Sequence, residues 1–156
     1  MLMTEPMAAT ARPATSPPGE AAARWAGSCS LQFAAQPAAC PAGRGQLAGL
    51  LAQWDLPELA DTAPLLASEL LANAVAAAQA GPGGSRLIQF CVGRAAASLI
   101  IEVWDPSPEP PVARQAGSMD EGGRGLHLVE VLSTAWGFYR PPWGGKVVWC
   151  QIALND

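Results

Sequence analysis

SELLANAV, residues 68–75, lies inside a longer run, ELADTAPLLASELLANAVAAAQA, residues 58–80. The run is rich in alanine and leucine, and GPGG at 81–84 stops it, as a glycine-rich segment ends a helix. With Leu66 at the origin of a helical wheel, Leu70 falls near about 40°, Ala74 near about 80° and Leu71 near about 140°. Asn73 and Glu69 fall near about −20° and −60°, at the border of the apolar arc rather than opposite it. Being four residues apart, they share one face. A carboxylate and an amide at the edge of a core need partners, since burying them unpaired costs about 1–3 kcal/mol or more. Water, a bound ligand or a metal can each supply them, and spacing alone does not choose.

Working outward, the 156 residues suffice for one domain with a core, and half of them are hydrophobic while only 14% are charged, so the chain as a whole is not disordered. The formal net charge is −4 and no basic face is visible, which argues against nucleic acid as a partner. Cys29, Cys40, Cys91 and Cys150 have no CxxC spacing, and the single histidine, His127, is remote from them, which argues against zinc. Cys91 and Cys150 are expected as buried thiols on strands. The start, MLMTEPMAATARPATSPPGE, has no apolar core of a signal peptide, and no run of 18 apolar residues suggests a membrane span. The expectation is a cytoplasmic protein without membrane contact.

Residues 1–27, rich in Ala, Pro, Ser and Thr, are expected as a flexible tail, and 28–156 as one domain. Leu31 and Phe33 alternate as in a strand. Leu47, Leu50, Leu51 and Trp54 recur at helical spacing, and Pro57 marks a break. RLIQFCVG and ASLIIEVWD, joined by RAAA, read as a β-hairpin. PSPEPPVARQAGSMDEGG is a long loop of the kind that usually carries function. RGLHLVEVLSTA is expected as a helix with a Leu126, Val129, Leu132 stripe, and WGFYRP and KVVWCQIAL as a second hairpin around PPWGG. The order β, α, α, β, β, loop, α, β, β predicts an α+β two-layer sandwich: a mixed, mainly antiparallel sheet with helices on one face.

Two further places can carry chemistry. Asp105 ends an apolar strand at a sheet rim, where a carboxylate can accept a hydrogen bond from an exocyclic amine; Asp before Pro106 is also ordinary turn chemistry. DEGGRGLHLVEVL, residues 120–132, places Gly122, Gly123 and Gly125 before a helix start, with Arg124 among them. Free N–H groups and the helix dipole favour an anion there, and glycine permits close approach. A plain loop-to-helix turn explains the same residues equally well.

Taken together and in order, these pieces resemble the GHKL family of ATP-binding domains, the Bergerat or histidine-kinase-like ATPase fold, over about residues 28–154. SELLANAV is similar to its N box, EVWDPSPEPP to its first glycine-box region, DEGGRGLHLV to its second and GGKVVW to its last strand. Within the family the chain looks most like small single-domain bacterial anti-sigma-factor serine kinases. The resemblance implies ATP and Mg²⁺ as ligands, with Asn73 binding the metal, Glu69 as general base and Asp105 on the adenine amino group. It implies a lid hinge at Gly123 and Gly125, with Gly122, Arg124, Leu126 and Ser107 near the nucleotide. Arg124 and Lys146 are expected to neutralise phosphate charge. The expected partners are ATP or ADP and a protein, an antagonist or a sigma factor, with a homodimer among the arrangements allowed.

The sequence departs from the family pattern in three places. Asp105-Pro106-Ser107 lacks the glycine of D-x-G, Ala76 and Ala77 stand where relatives often have Arg-His, and Val147 replaces a common Thr. Three functions therefore compete: a serine/threonine kinase of a partner-switching system, a nucleotide-binding module without turnover, and a scaffold that binds only proteins. Trp143 in the PPWGG turn would suit the last. His127 is expected as a helix residue without special chemistry.

Overall fold

A computed structural model describes residues 14–18, 26–80, 86–111 and 125–154. Eight principal elements follow the expected order: β1 (Gly27–Ala34), α1 (Ala39–Gln53), α2 (Thr62–Ala80), β2 (Leu87–Arg94), β3 (Ser98–Asp105), α3 (Gly125–Leu132), β4 (Ala135–Tyr139) and β5 (Lys146–Ala153). A short 3₁₀ turn at Pro57–Leu59 occupies the break foreseen at Pro57. Pro64 sits in the first turn of α2, where its missing N–H has no helical partner to lose.

The five strands form one sheet in the order β1-β2-β3-β5-β4, and every neighbouring pair is antiparallel. The two hairpins β2–β3 and β4–β5 are those read from the sequence, and they meet where β3 pairs with β5. Helix α2 packs on β2, β3 and β5, and α1 and α3 flank it. The result is the expected two-layer α+β sandwich.

Period-2 alternation selects the core face of each strand. Ile88, Phe90 and Val92 of β2, Leu99, Ile101 and Val103 of β3, and Val148, Cys150 and Ile152 of β5 all enter one cluster. They meet Ala63, Leu66, Ala67, Leu70, Leu71 and Ala74 of α2. In α3 the stripe is shorter than expected. Leu126 and Val129 are buried, whereas Leu132 is exposed because the helix ends beside it, where Ser133 N–H and hydroxyl both turn back to the Val129 carbonyl. Cys150 is fully buried, and the loss of water pushes its thiol up to about 12. Cys91 is only half-buried, because it falls on the opposite face of β2 beside Glu102. Burial, then Glu102, pushes its thiol up to about 11.

That opposite face is not bare. Ala14 makes an isolated parallel bridge to Gly137 of β4, with Ala14 N–H donating to the Trp136 carbonyl and Phe138 N–H donating to the Ala14 carbonyl. Trp149 Nε1 donates to the Ser16 carbonyl at 2.9 Å. Residues 14–18 thus cover part of the β4 edge, the kind of exposed edge that invites unwanted pairing. Gly137 is required for this approach, since a Cβ there would meet the Ala14 backbone. Gly137→Val is expected to detach the segment at a cost of about 1–2 kcal/mol, the worth of the hydrogen bonds lost. Tryptophan fluorescence would report it as a red shift when Trp149 loses its cover. No helix among the described residues is long and apolar enough to cross a membrane.

Candidate functional site

Glu69 and Asn73 lie on α2 at the border of its buried stripe, as the wheel requires, and both are half-buried. Burial raises the Glu69 carboxyl above its ordinary value. Cys40 and Arg44 of α1 lie on the same side, close enough for Glu69 to raise the Cys40 thiol in addition to the effect of burial. Arg44 Nη1 donates to Ser68 Oγ at 2.9 Å and ties α1 to this part of α2. Asn73 Oδ1 is buried and has no hydrogen-bond partner. A buried amide oxygen without a donor is uncommon in a folded protein, and a cation or a ligand donor would satisfy it.

Asp105 terminates β3 and is fully buried. Its Oδ1 accepts from the Ser107 N–H at 2.9 Å and from Lys146 Nζ at 3.0 Å. Its Oδ2 is buried and has no partner. Burial raises the carboxyl above the usual range, and Lys146 and the Ser107 N–H oppose that rise. Ser107 closes a local turn: its hydroxyl accepts from Glu109 N–H and its carbonyl accepts from Lys146 Nζ at 3.3 Å. Arg140 Nε donates to the Pro108 carbonyl, fastening the same loop to the end of β4. The residue standing where D-x-G has glycine therefore takes part in holding the carboxylate.

Lys146 is the correction. The sequence reading gave it a phosphate; the structure places it at the start of β5, directly across from Asp105, 2% exposed and paired to that carboxylate. An ammonium drawn from water stays charged only beside an opposite charge. The turn before it makes the approach possible. Gly145 has φ 72, and a Cβ there would strike the Asp105 carbonyl and the Trp104 ring. Trp104 Nε1 donates to the Gly144 carbonyl, which holds the turn against β3.

Leu126 is buried in α3 and contributes packing, and Gly125 is the first residue of that helix. Gly122, Gly123 and Arg124 lie outside the described residues. His127 is exposed on α3. Trp143 is 71% exposed at the tip of the β4–β5 turn.

The structure thus assembles Asp105, Ser107 and Lys146 at one sheet rim and keeps Glu69 and Asn73 on one face of the helix that packs on β3. Among known families, residues 33–152 match the histidine kinase-like ATPase domain. The chain belongs to that family. No curated protein matches it. The histidine kinase-like ATPase domain accounts for the α+β fold, and membership supports an ATP-binding regulatory function. The two orphaned acceptors both fall within the matched residues.

Sequence reasoning missed Arg140 and the partnership of Lys146. The one available signal was that Lys146 is the only lysine in the chain. Its partner follows only from the β3–β5 pairing, which no local pattern states.

Proposed function

We propose that the protein is an ATP-dependent serine/threonine kinase of the anti-sigma-factor type, which phosphorylates a small antagonist protein in a partner-switching system. The observation that carries this reading is the pair of buried acceptors without partners, Asn73 Oδ1 on α2 and Asp105 Oδ2 at the end of β3. Asp105 Oδ2 suits the amino group of adenine, a donor. Asn73 Oδ1 suits Mg²⁺, a hard cation that prefers oxygen ligands and is held largely by phosphate oxygens.

When bound, Mg²⁺ supplies neutralisation of phosphate charge. The chain's own work is to position and to move a proton. Glu69 accepts the proton of the attacking serine hydroxyl as its oxygen bonds to the γ-phosphorus and the bond to the leaving ADP oxygen breaks. A carboxyl raised by burial is better matched to neutral pH as a base than an exposed one. Asp105 fixes the base at the other end of the nucleotide.

Titration with ATP by calorimetry tests the binding half of this reading. Affinity is expected to rise about tenfold or more on adding Mg²⁺, and Asn73→Ala to remove most of that gain. An affinity indifferent to Mg²⁺ and to Asn73 would reject the metal role. Incubation with γ-labelled ATP and candidate antagonist proteins tests the transfer half. Label that does not depend on Glu69 would exclude the kinase reading.

A second reading, a protein-binding module, draws on Trp143, whose indole is largely exposed on a turn closed by Pro141, Pro142, Gly144 and Gly145. An exposed tryptophan on a rigid turn is a common anchor at interfaces. Binding of a protein partner that survives Asp105→Asn and fails with Trp143→Ala would favour it.

A further inference from the structure

We infer that Lys146 is the specificity-determining residue of the base pocket: it ties up one oxygen of Asp105, keeps the other as a lone acceptor, and so admits 6-amino purines while rejecting 6-oxo purines. The inference rests on the nucleotide binding proposed above and concerns a residue that the sequence reading assigned to phosphate.

Oδ1 of Asp105 is taken twice, by Lys146 Nζ at 3.0 Å and by the Ser107 N–H at 2.9 Å. Oδ2 is buried and unpartnered, so a base meets a single oxygen. The arrangement is rigid. Lys146 also donates to the Ser107 carbonyl, and the Gly144-Gly145 turn is locked under Trp104. Among the described residues this is the one ion pair, and it is buried on both sides. An ionised carboxylate only accepts, whereas a protonated one also donates. A free carboxylate with both oxygens open can grip guanine through N1–H and the 2-amino group. With Oδ1 occupied that fork is closed. The ammonium 3.0 Å away favours the ionised carboxylate, which cannot donate to a 6-oxo group. Adenine offers its amino hydrogen to Oδ2; hypoxanthine and guanine place a carbonyl oxygen there, and two acceptors face each other without a proton. A site built around a polar contact discriminates strongly against an analogue that cannot make it.

Removing Lys146 undoes both restrictions. Burial then acts on Asp105 without its counter-ion, favouring the protonated carboxyl, which can donate to a 6-oxo group.

The test is parallel calorimetric titration of wild type and Lys146→Met with ATP, ITP and GTP. Wild type is expected to prefer ATP to ITP by at least about tenfold, and Lys146→Met to lose most of that ratio. A phosphate-binding or merely structural lysine would weaken ATP and ITP equally and leave the ratio unchanged, which would overturn the inference. Should Lys146→Met not fold, the uncharged pair Asp105→Asn with Lys146→Met carries the same expectation, since an amide can present either a donor or an acceptor. Retained preference in that variant overturns the inference equally. If wild type binds nucleotides without discriminating, the inference alone falls. If wild type binds none, the nucleotide reading falls and takes the inference with it.

Discussion

Glu69→Gln is expected to lower phosphoryl transfer by about 10²–10⁴-fold while leaving ATP affinity within about threefold of wild type. The substitution keeps the shape of a side chain half-buried at the border of α2 and removes only its capacity to take a proton. Burial raises the Glu69 carboxyl, so the ionised, active form is lost at a higher pH than an exposed glutamate would show. The transfer rate should therefore fall as the pH drops through that raised value. The Gln variant should show only a residual rate with no such limb. Single-turnover measurement of labelled product across pH decides the matter. A Gln variant that keeps the wild-type rate would remove Glu69 as the base of the transfer.

The edge position of Glu69 is legible in the sequence and the partner of Lys146 is not, because the first is local and the second is not. Glu69 and Asn73 are four apart on a helix whose apolar period is unbroken, so the wheel alone sets them at the edge of the core. The observed burial of Leu66, Leu70, Leu71 and Ala74 is the same statement in three dimensions. The two hairpins were equally legible, because each has apolar runs joined by a short connection. The junction of those hairpins was not. β3 and β5 are separated in sequence by a long loop, a helix and another strand, so their pairing is non-local and no hairpin signal announces it. The partnership of Asp105 with Lys146 depends on that junction alone, so the lysine read locally as a free cation. Contacts by short irregular segments were also hidden. Nothing in ATSPP, residues 14–18, announces that Ala14 meets Gly137 or that Ser16 caps Trp149. Leu132 was misread because the wheel assumes a helix that continues, and this one stops.

Asp105→Ala and Lys146→Met are each expected to destabilise the fold, and the loss in Lys146→Met shrinks in acid. Each leaves one member of a buried ion pair alone, a change that typically costs about 3–5 kcal/mol. Neutralising the survivor limits the penalty. For Asp105 that costs about 4 kcal/mol near pH 7 and only about 1.5 kcal/mol near pH 5, from the ordinary pKa of aspartate. In Lys146→Met the folded protein holds a proton on Asp105 that the unfolded chain has lost, so its stability falls as pH rises. Urea unfolding of Lys146→Met between about pH 5 and pH 8 should therefore show a stability that falls with pH relative to wild type. The double variant Asp105→Asn with Lys146→Met should be flat and recover most of the loss, because neither side chain then carries a charge into the core. A Lys146→Met slope no different from that of wild type would mean that the pair opens to water in solution, and the buried acceptor at Asp105 Oδ2 would go with it.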